Sequence, residues 1–370
     1  MHADRFDQLI SAQGPFASVY FDDTHDTEDA AKKQELTWRS LREQLTDAGA
    51  PDAVADIVEQ AINDSPPAVG RSGRGLIANA ERVLLDEHLL RPPPVTEARF
   101  SALPYLVPIL EHGVGGPARL VVAVDRQGAD ITVEDSQGRS THTETVEGGE
   151  YPVHKAAGAE TAGYGDPQPV VEEAIGRNIR VVADRVAALT REYPVEPIFV
   201  VGEVRARTEL LEALPEHVRE QSVELEVGSR AAGSDAAGSE DDVAGAVAEE
   251  LTRRRLEVMD DAAERIRAEE GRGSGLAAEG LEAVGAAIRA ASVGTLVIGD
   301  LGDRTVLVGD QPTWVATDAG QLSEFGSSHA DIRRADEALP FAALATGAAV
   351  IRTDERIAPA DGCAALLRYA

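Results

Sequence analysis

Apolar residues at Val171, Ile175, Ile179, Val182, Val186 and Leu189 recur at steps of four, four, three, four and three. That spacing is one face of a 3.6-residue helix, and such a face must lie on a sheet. The helix is fed by a Gly/Ala-rich stretch starting at Gly148, in which Gly158, Gly163 and Gly165 stand among few bulky side chains. So little apolar area cannot offset the entropy of ordering, so the stretch reads as a loop projecting into solvent from a rigid support. Projecting loops of this kind are where function tends to sit.

The pattern on either side of the helix completes one sheet. Two apolar strands flank the turn Asp125-Arg126-Gln127-Gly128, and a third is expected at 141–146. After the helix come a strand at 197–202, a helix at 207–218 with Leu210, Leu211 and Leu214, and a strand at 222–227. The order β-β-β-α-β-α-β describes a ribonuclease-H-like layout, which other mixed sheets share.

Upstream, the run at 16–21 follows Gln13-Gly14-Pro15 and reads as a buried strand. Helices are expected at 28–47, with Leu36, Trp38, Leu41 and Leu45 facing inward, and at 54–62. Paired strands at 75–79 and 82–88 follow before Pro92-Pro93-Pro94 stops regular structure. Downstream, the acidic, low-complexity run 228–242 reads as a linker. Val243, Val247, Leu251, Val258, Ala262 and Ile266 then keep a helical face as far as the glycine-rich 271–275. A last α/β unit follows: helix 277–290, strands 295–298 and 305–308, helix 335–345, and strands 349–352 and 364–369. The fold class is mixed α/β in three domains: 1–96, 97–228 with the projecting loop 148–168, and 276–370, with 229–275 as acidic linker and connecting helix.

Charge narrows the partners. A formal net charge of −30 over 370 residues opposes nonspecific attraction to phosphate backbones, so free DNA is not expected as a ligand. Screening over roughly 8 Å at physiological salt still permits a large ribonucleoprotein met through a few local Arg clusters. The single cysteine, Cys363, cannot form an internal disulfide, which implies a reducing compartment. Neither a leader pattern nor an apolar run near the roughly 20 residues of a bilayer span occurs, so the expectation is a cytoplasmic protein with no membrane partner.

Candidate chemistry is sparse. Asp125 and Asp184 could suggest a two-metal carboxylate cluster, but Asp125 opens a turn and Asp184 is flanked by Arg180 and Arg185 on the polar side of its helix. His154 and Lys155 beside the loop could contact RNA phosphate, or the His could simply hydrogen-bond backbone. Tyr164, between Gly163 and Gly165, could stack on an unpaired base or fold back on the sheet. Gln168 lies between Pro167 and Pro169, where it forms the entry to the helix rather than a displaced catalytic residue. Arg253-Arg254-Arg255 spreads around its helix and reads as solvated surface. With no P-loop, GxGxxG after a strand, HExxH or CxxC pair, neither cofactor nor metal is expected.

The final segments GLEAVGAAIRAASVGTLVIGD and GAAVIRTDERIAPADGCAALLRY resemble the α/β-sandwich C-terminal domain of archaeo-eukaryotic release factors and Pelota, which closes on a GxxAxLRY strand. LVVAVDRQGADITV resembles the VDxxGA hairpin that opens the release-factor middle domain. Together with PFASVYFDDTHDT, YPVHK, GYGD, TRRR and DEALPFAA, these place the resemblance over essentially the full length. It is to the mycobacterial and actinobacterial, dormancy-associated branch of the bacterial release-factor-like proteins, a branch similar to the ribosome hibernation factor Balon.

True release factors carry Gly-Gly-Gln at the tip of this loop. Here Gly115-Gly116 precedes Pro117, Gly148-Gly149 precedes Glu150, and the loop reads GAETAGYGDPQ. The preorganised donor that peptidyl-tRNA hydrolysis needs is therefore missing from the expected place. The resemblance implies a ribosome-binding hibernation or stress factor occupying the vacant A site, with elongation factor Tu as delivery partner. The segment from Gly158 to Asp166, with His154, Lys155 and Gln168, would then face ribosomal RNA near the peptidyl-transferase centre. The rival is a peptidyl-tRNA hydrolase or rescue factor with a nonstandard loop.

Overall fold

A computed structural model describes residues 3–25, 30–64, 71–113, 118–135, 138–149, 168–227, 236–353 and 358–369. The chain forms two compact units, 1–115 with 251–370, and 116–250.

The first part of unit 1 begins with α1 (Asp7–Ser11), β1 (Phe16–Asp22), α2 (Ala30–Asp47), α3 (Asp52–Asp64), β2 (Gly73–Ala78), β3 (Val83–Leu89), β4 (Glu97–Ser101) and α4 (Val107–His112). The strands make an antiparallel sheet in the order β3-β2-β1-β4. Strand side chains alternate between faces, so β1 serves two cores. Ala17, Val19 and Phe21 pack with Trp38, Leu41, Leu45, Val54 and Val58 of α2 and α3, while Phe16 and Tyr20 face the opposite way.

Unit 2 is a five-stranded sheet built from β5 (Ala118–Val124), β6 (Gly128–Glu134), β7 (Ser140–Glu147), then α5 (Gln168–Glu192), β8 (Val195–Gly202), α6 (Val204–Ala213), α7 (Glu216–Arg219) and β9 (Ser222–Glu224). Its order is β7-β6-β5-β8-β9, antiparallel across β5, β6 and β7, and parallel from β5 to β8 to β9. This is the meander and crossover layout that the strand and helix order implies. Ile175, Ile179, Val182, Val186 and Leu189 of α5 are all buried against the sheet, as their spacing requires. Each contributes about 1.5–3 kcal/mol through burial of its side chain.

The chain continues through α8 (Ala236–Arg272), β10 (Ala277–Glu279), α9 (Gly280–Arg289), β11 (Val293–Ile298), β12 (Thr305–Val308), β13 (Val315–Ala316), α10 (Ala319–Glu324), β14 (Asp331–Arg334), α11 (Ala335–Ala345), β15 (Ala349–Arg352) and β16 (Cys363–Leu367). Two sheets result, β10-β16-β11-β15 and β13-β12-β14. Helix α11 is buried from Ala335 to Leu344; its apolar residues fill the core, and its two buried carboxylates, Asp336 and Glu337, are paired with Arg99, as buried charges require. Leu339 and Phe341 belong to the same core as Phe16 and Tyr20, so segments 1–96 and 276–370, read from the sequence as separate domains, share one core. Phe16 and Phe341 meet at a ring-centroid distance of 6.4 Å.

Several expectations change. Leu36 is 52% exposed, because it lies two residues, about 200° of helix, from the Trp38–Leu41–Leu45 face. Val258 is 54% exposed and Met259 takes its place beside Ala262, Ala263 and Ile266. The helix expected at 207–218 begins at Val204 and breaks at Leu214, because Pro215 disfavours helical backbone before it and cannot donate. Residues Ala277–Glu279 are extended, paired antiparallel with Ala364, Ala365 and Leu366, a tertiary pairing that overrides alanine's helix propensity. Helix α8 starts at Ala236, inside the stretch read as linker, and residues 228–235 lie outside the described ones. The short elements β4, α4, β13, α10 and β14 carried no periodicity long enough to read.

Candidate functional site

Glu150, His154, Lys155, Gly158, Gly163, Tyr164, Gly165 and Asp166 lie outside the described residues. Gln168 is the first residue of α5, the helix entry expected of a residue between two prolines. What the structure does present is the base from which the loop leaves.

That base sits at the carboxyl ends of the parallel strands β5 and β8. The chain leaves β5 toward β6 and leaves β8 toward β9, so the sheet's topological switch point lies between Val124 and Gly202. Crevices outside such points are the usual ligand positions of parallel sheets. At Gly202, φ is +116°, and a Cβ there would overlap the Val124 carbonyl; only glycine fits this bend. The Glu203 N–H donates to that carbonyl at 3.1 Å. Arg207, 5% exposed, holds the outer side, donating from Nη1 to the Gly202 carbonyl (2.9 Å) and from Nε to Glu224 Oε1 (2.9 Å).

Beside this bend, Asp125 Oδ1 accepts from the N–H groups of Gln127 (2.7 Å) and Gly128 (2.9 Å), closing the β5–β6 turn. Arg126 pairs with Glu203 through Nε and Oε1 at 2.7 Å. Asn178, only 4% exposed, donates from Nδ2 to the Arg126 carbonyl at 3.0 Å. Where β7 ends, the Gly148 N–H donates to the Gln127 carbonyl at 2.8 Å. A Cβ on Gly148 would collide with the Asn178 side chain, so the two residues share one space. One asparagine thus ties the helix after the loop to the turn and strand end before it.

A second tie crosses from β7 to α5. Glu144 accepts from Arg185 Nη2 at 2.7 Å and lies 3.1 Å from His142 Nε2, and the Arg185 hydrogen bond holds its carboxyl below the usual range. His142 stacks on Tyr193 with ring centroids 6.0 Å apart. The polar contacts described at this end of the sheet hold its strand ends, turn and helix in place. Asp125 is used by the turn and Asp184 is exposed. Among the described residues no group of His, Cys, Asp and Glu could hold a metal ion, and no helix is long and apolar enough to cross a membrane.

Asn178 escaped the reading of the sequence, although it falls on the buried stripe, three residues after Ile175 and four before Val182. A lone amide on an apolar face was the available signal. Arg255, read as solvated surface, instead donates to the carbonyls of Glu111 and Gly113 at the end of α4.

Residues 118–272, which take in this sheet and its loop, match the family described as bacterial archaeo-eukaryotic release factor family 2. An uncharacterized protein of Mycobacterium tuberculosis, known from two strains, is 47% identical over 370 residues, covering 100% of this chain and 97% of the relative. The chain belongs to the bacterial archaeo-eukaryotic release-factor family. Among solved structures, ribosome-bound archaeal Pelota aligns with a TM-score of 0.43 at 14% identity, covering 99% of this chain and 94% of that one. Archaeoglobus fulgidus Pelota aligns with a TM-score of 0.37 at 12% identity, with 99% and 91% covered.

Proposed function

We propose that this member of the family is a cytoplasmic ribosome-binding factor that occupies the vacant A site of idle ribosomes without releasing peptide, as in hibernation or stress. The observation that carries the reading is the pairing of family membership with the loop sequence. The matched region contains the five-stranded sheet and the stretch between β7 and α5, yet that stretch holds no Gly-Gly-Gln. The described base supports a presenting role, since its buried polar groups Asn178 and Arg207 are consumed in holding strand ends and turns. In this reading His154, Lys155, the segment Gly158 to Asp166 and Gln168 meet ribosomal RNA near the peptidyl-transferase centre, and elongation factor Tu delivers the protein.

The test is cosedimentation of the purified protein with vacant 70S ribosomes in competition with A-site tRNA, followed by incubation with ribosomes holding peptidyl-tRNA. The expected result is binding with peptidyl-tRNA intact. Tyr164→Ala should weaken binding by roughly 5- to 150-fold, the equivalent of one lost base–aromatic stack. Absence of ribosome binding sinks the proposal, and peptide release abolished by Gln168→Ala establishes a hydrolase instead.

A further inference from the structure

On a chain of formal charge −30, one place in unit 1 runs the other way. The Leu90 N–H donates to the His112 carbonyl at 2.7 Å, which sets Arg91 beside the end of α4. Arg255 caps that end by donating to the carbonyls of Glu111 and Gly113, where cations complement the helix dipole. Arg352, at the end of β15, reaches Glu111 Oε2 through Nε at 3.3 Å. Glu111 in turn lies 3.5 Å from His112 Nε2. Among the described residues, three guanidinium groups therefore surround one carboxylate and one imidazole, and the nearby Arg5–Glu87 pair adds no net charge.

The group shows the strain of this excess. His112 is held below its ordinary pKa by burial, against Glu111, with Arg255, Arg91 and Arg352 all pushing it down. Burial, with Arg5 beside it, lowers Arg255 to about 10. An anion arriving here would relieve several unfavourable terms together. Arg91 is exposed, and the Arg352 side chain keeps 21% of its surface open, so the charge can be reached. We propose that Arg91, His112 and Arg352 bind a phosphate group of the ribosomal RNA backbone. The planar guanidinium forks suit phosphate geometry, and a ligand held by other contacts can bring a phosphate here against the repulsion of the whole chain. The inference rests on the ribosome-binding reading and names the surface through which so acidic a protein meets RNA.

Arg91→Ala is the test, because this exposed side chain makes no ion pair among the described residues and its loss leaves the fold intact. Binding to 70S ribosomes should weaken about tenfold, and the slope of log affinity against log salt should flatten by about 0.7–0.9. Arg91→Lys should restore most of both. If the wild type binds ribosomes and Arg91→Ala matches it in affinity and slope, the phosphate site is overturned while ribosome binding stands. If the wild type does not bind ribosomes, the functional reading falls, and the site is decided by NMR titration of the His112 imidazole with tripolyphosphate. A nearby anion favours imidazolium, so the site requires an upward shift in the wild type that Arg91→Ala abolishes. No shift overturns it, as does a shift with polyglutamate but none with tripolyphosphate, which would assign the cluster to an acidic protein segment.

Discussion

Gly148 and Asn178 offer the sharpest test of how the loop base is built. The Asn178 side chain lies so close to the Gly148 backbone that a methyl group on Gly148 would overlap its amide and crowd its Cβ. Gly148→Ala should therefore destabilise unit 2 by about 1–3 kcal/mol, the ordinary cost of overpacking a filled site. Asn178→Ala removes the 3.0 Å hydrogen bond to the Arg126 carbonyl and leaves that acceptor in a half-buried position, at about 1–2 kcal/mol. In the double variant the amide that the new methyl would strike has gone, though the residue-178 Cβ remains close. The Gly148→Ala cost should then fall by at least about 0.5 kcal/mol, outside the range over which independent sites add. The readout must be local, because unfolding of a two-unit chain is not one transition. Hydrogen exchange of the buried amides in β8 supplies it. Strict additivity of the two substitutions would refute the shared space, and a Gly148→Ala variant as stable as wild type would refute the close approach.

Three further outcomes follow from unit 1. Arg99 lies 3.3 Å over the Tyr105 ring centroid and reaches Asp336 at 3.1 Å and Glu337 at 3.5 Å. Arg99→Ala should cost about 2–4 kcal/mol in denaturant unfolding at neutral pH. Burial already raises the Glu337 carboxyl pKa in the folded state, and losing Arg99 raises it further. Native protein then binds the proton more tightly than unfolded protein, so the deficit should shrink as pH falls toward 5, and a pH-independent deficit refutes the assignment. Asp23 is 2% exposed, neither carboxylate oxygen has a hydrogen-bond partner among the described residues, and burial raises its pKa against the pull of Arg74 and His25. By the same sign, ionised Asp23 costs stability above its folded pKa, so Asp23→Asn should raise Tm at pH 7 and lose that advantage in acid; a lower Tm at pH 7 shows that Arg74 needs the charge. Burial pushes the Cys363 thiol up to about 12, so iodoacetamide at pH 8 should label the protein only after denaturation. Labelling of native protein would place this thiol at an accessible surface.

How far the sequence could be read depended on the range of the forces involved. Periodicity is local, and it located α5, the β5–β6 hairpin and β1 to within a few residues. It also marked the run at Phe16 to Phe21 as a buried strand, but two apolar faces cannot announce what covers each. One face meets α2 and α3 close in sequence, while the other meets Phe341 and Leu339 more than three hundred residues away. The sharing of one core by both ends of the chain has no local signature. Where local preference and tertiary pairing disagreed, at Ala277–Glu279, pairing won.

The candidate site divides along the same line. Its loop is read from composition, a lack of bulky side chains, and residues 150–167 lie outside the described ones. Its base was not legible, because Asn178, Glu144 and Arg207 act across 52, 41 and 17 positions of sequence. A buried amide costs stability unless its bonds are met, so Asn178 is expected where uniqueness of geometry is worth more than one further leucine. The neighbouring buried guanidinium of Arg207 is committed in the same way, to a strand end and to β9. A catalytic arrangement would instead hold its nucleophile or base free and orient it through a partner. Among the described residues, the polar groups at this end of the sheet are spent on fixing the strand end, turn and helix from which residues 150–167 depart.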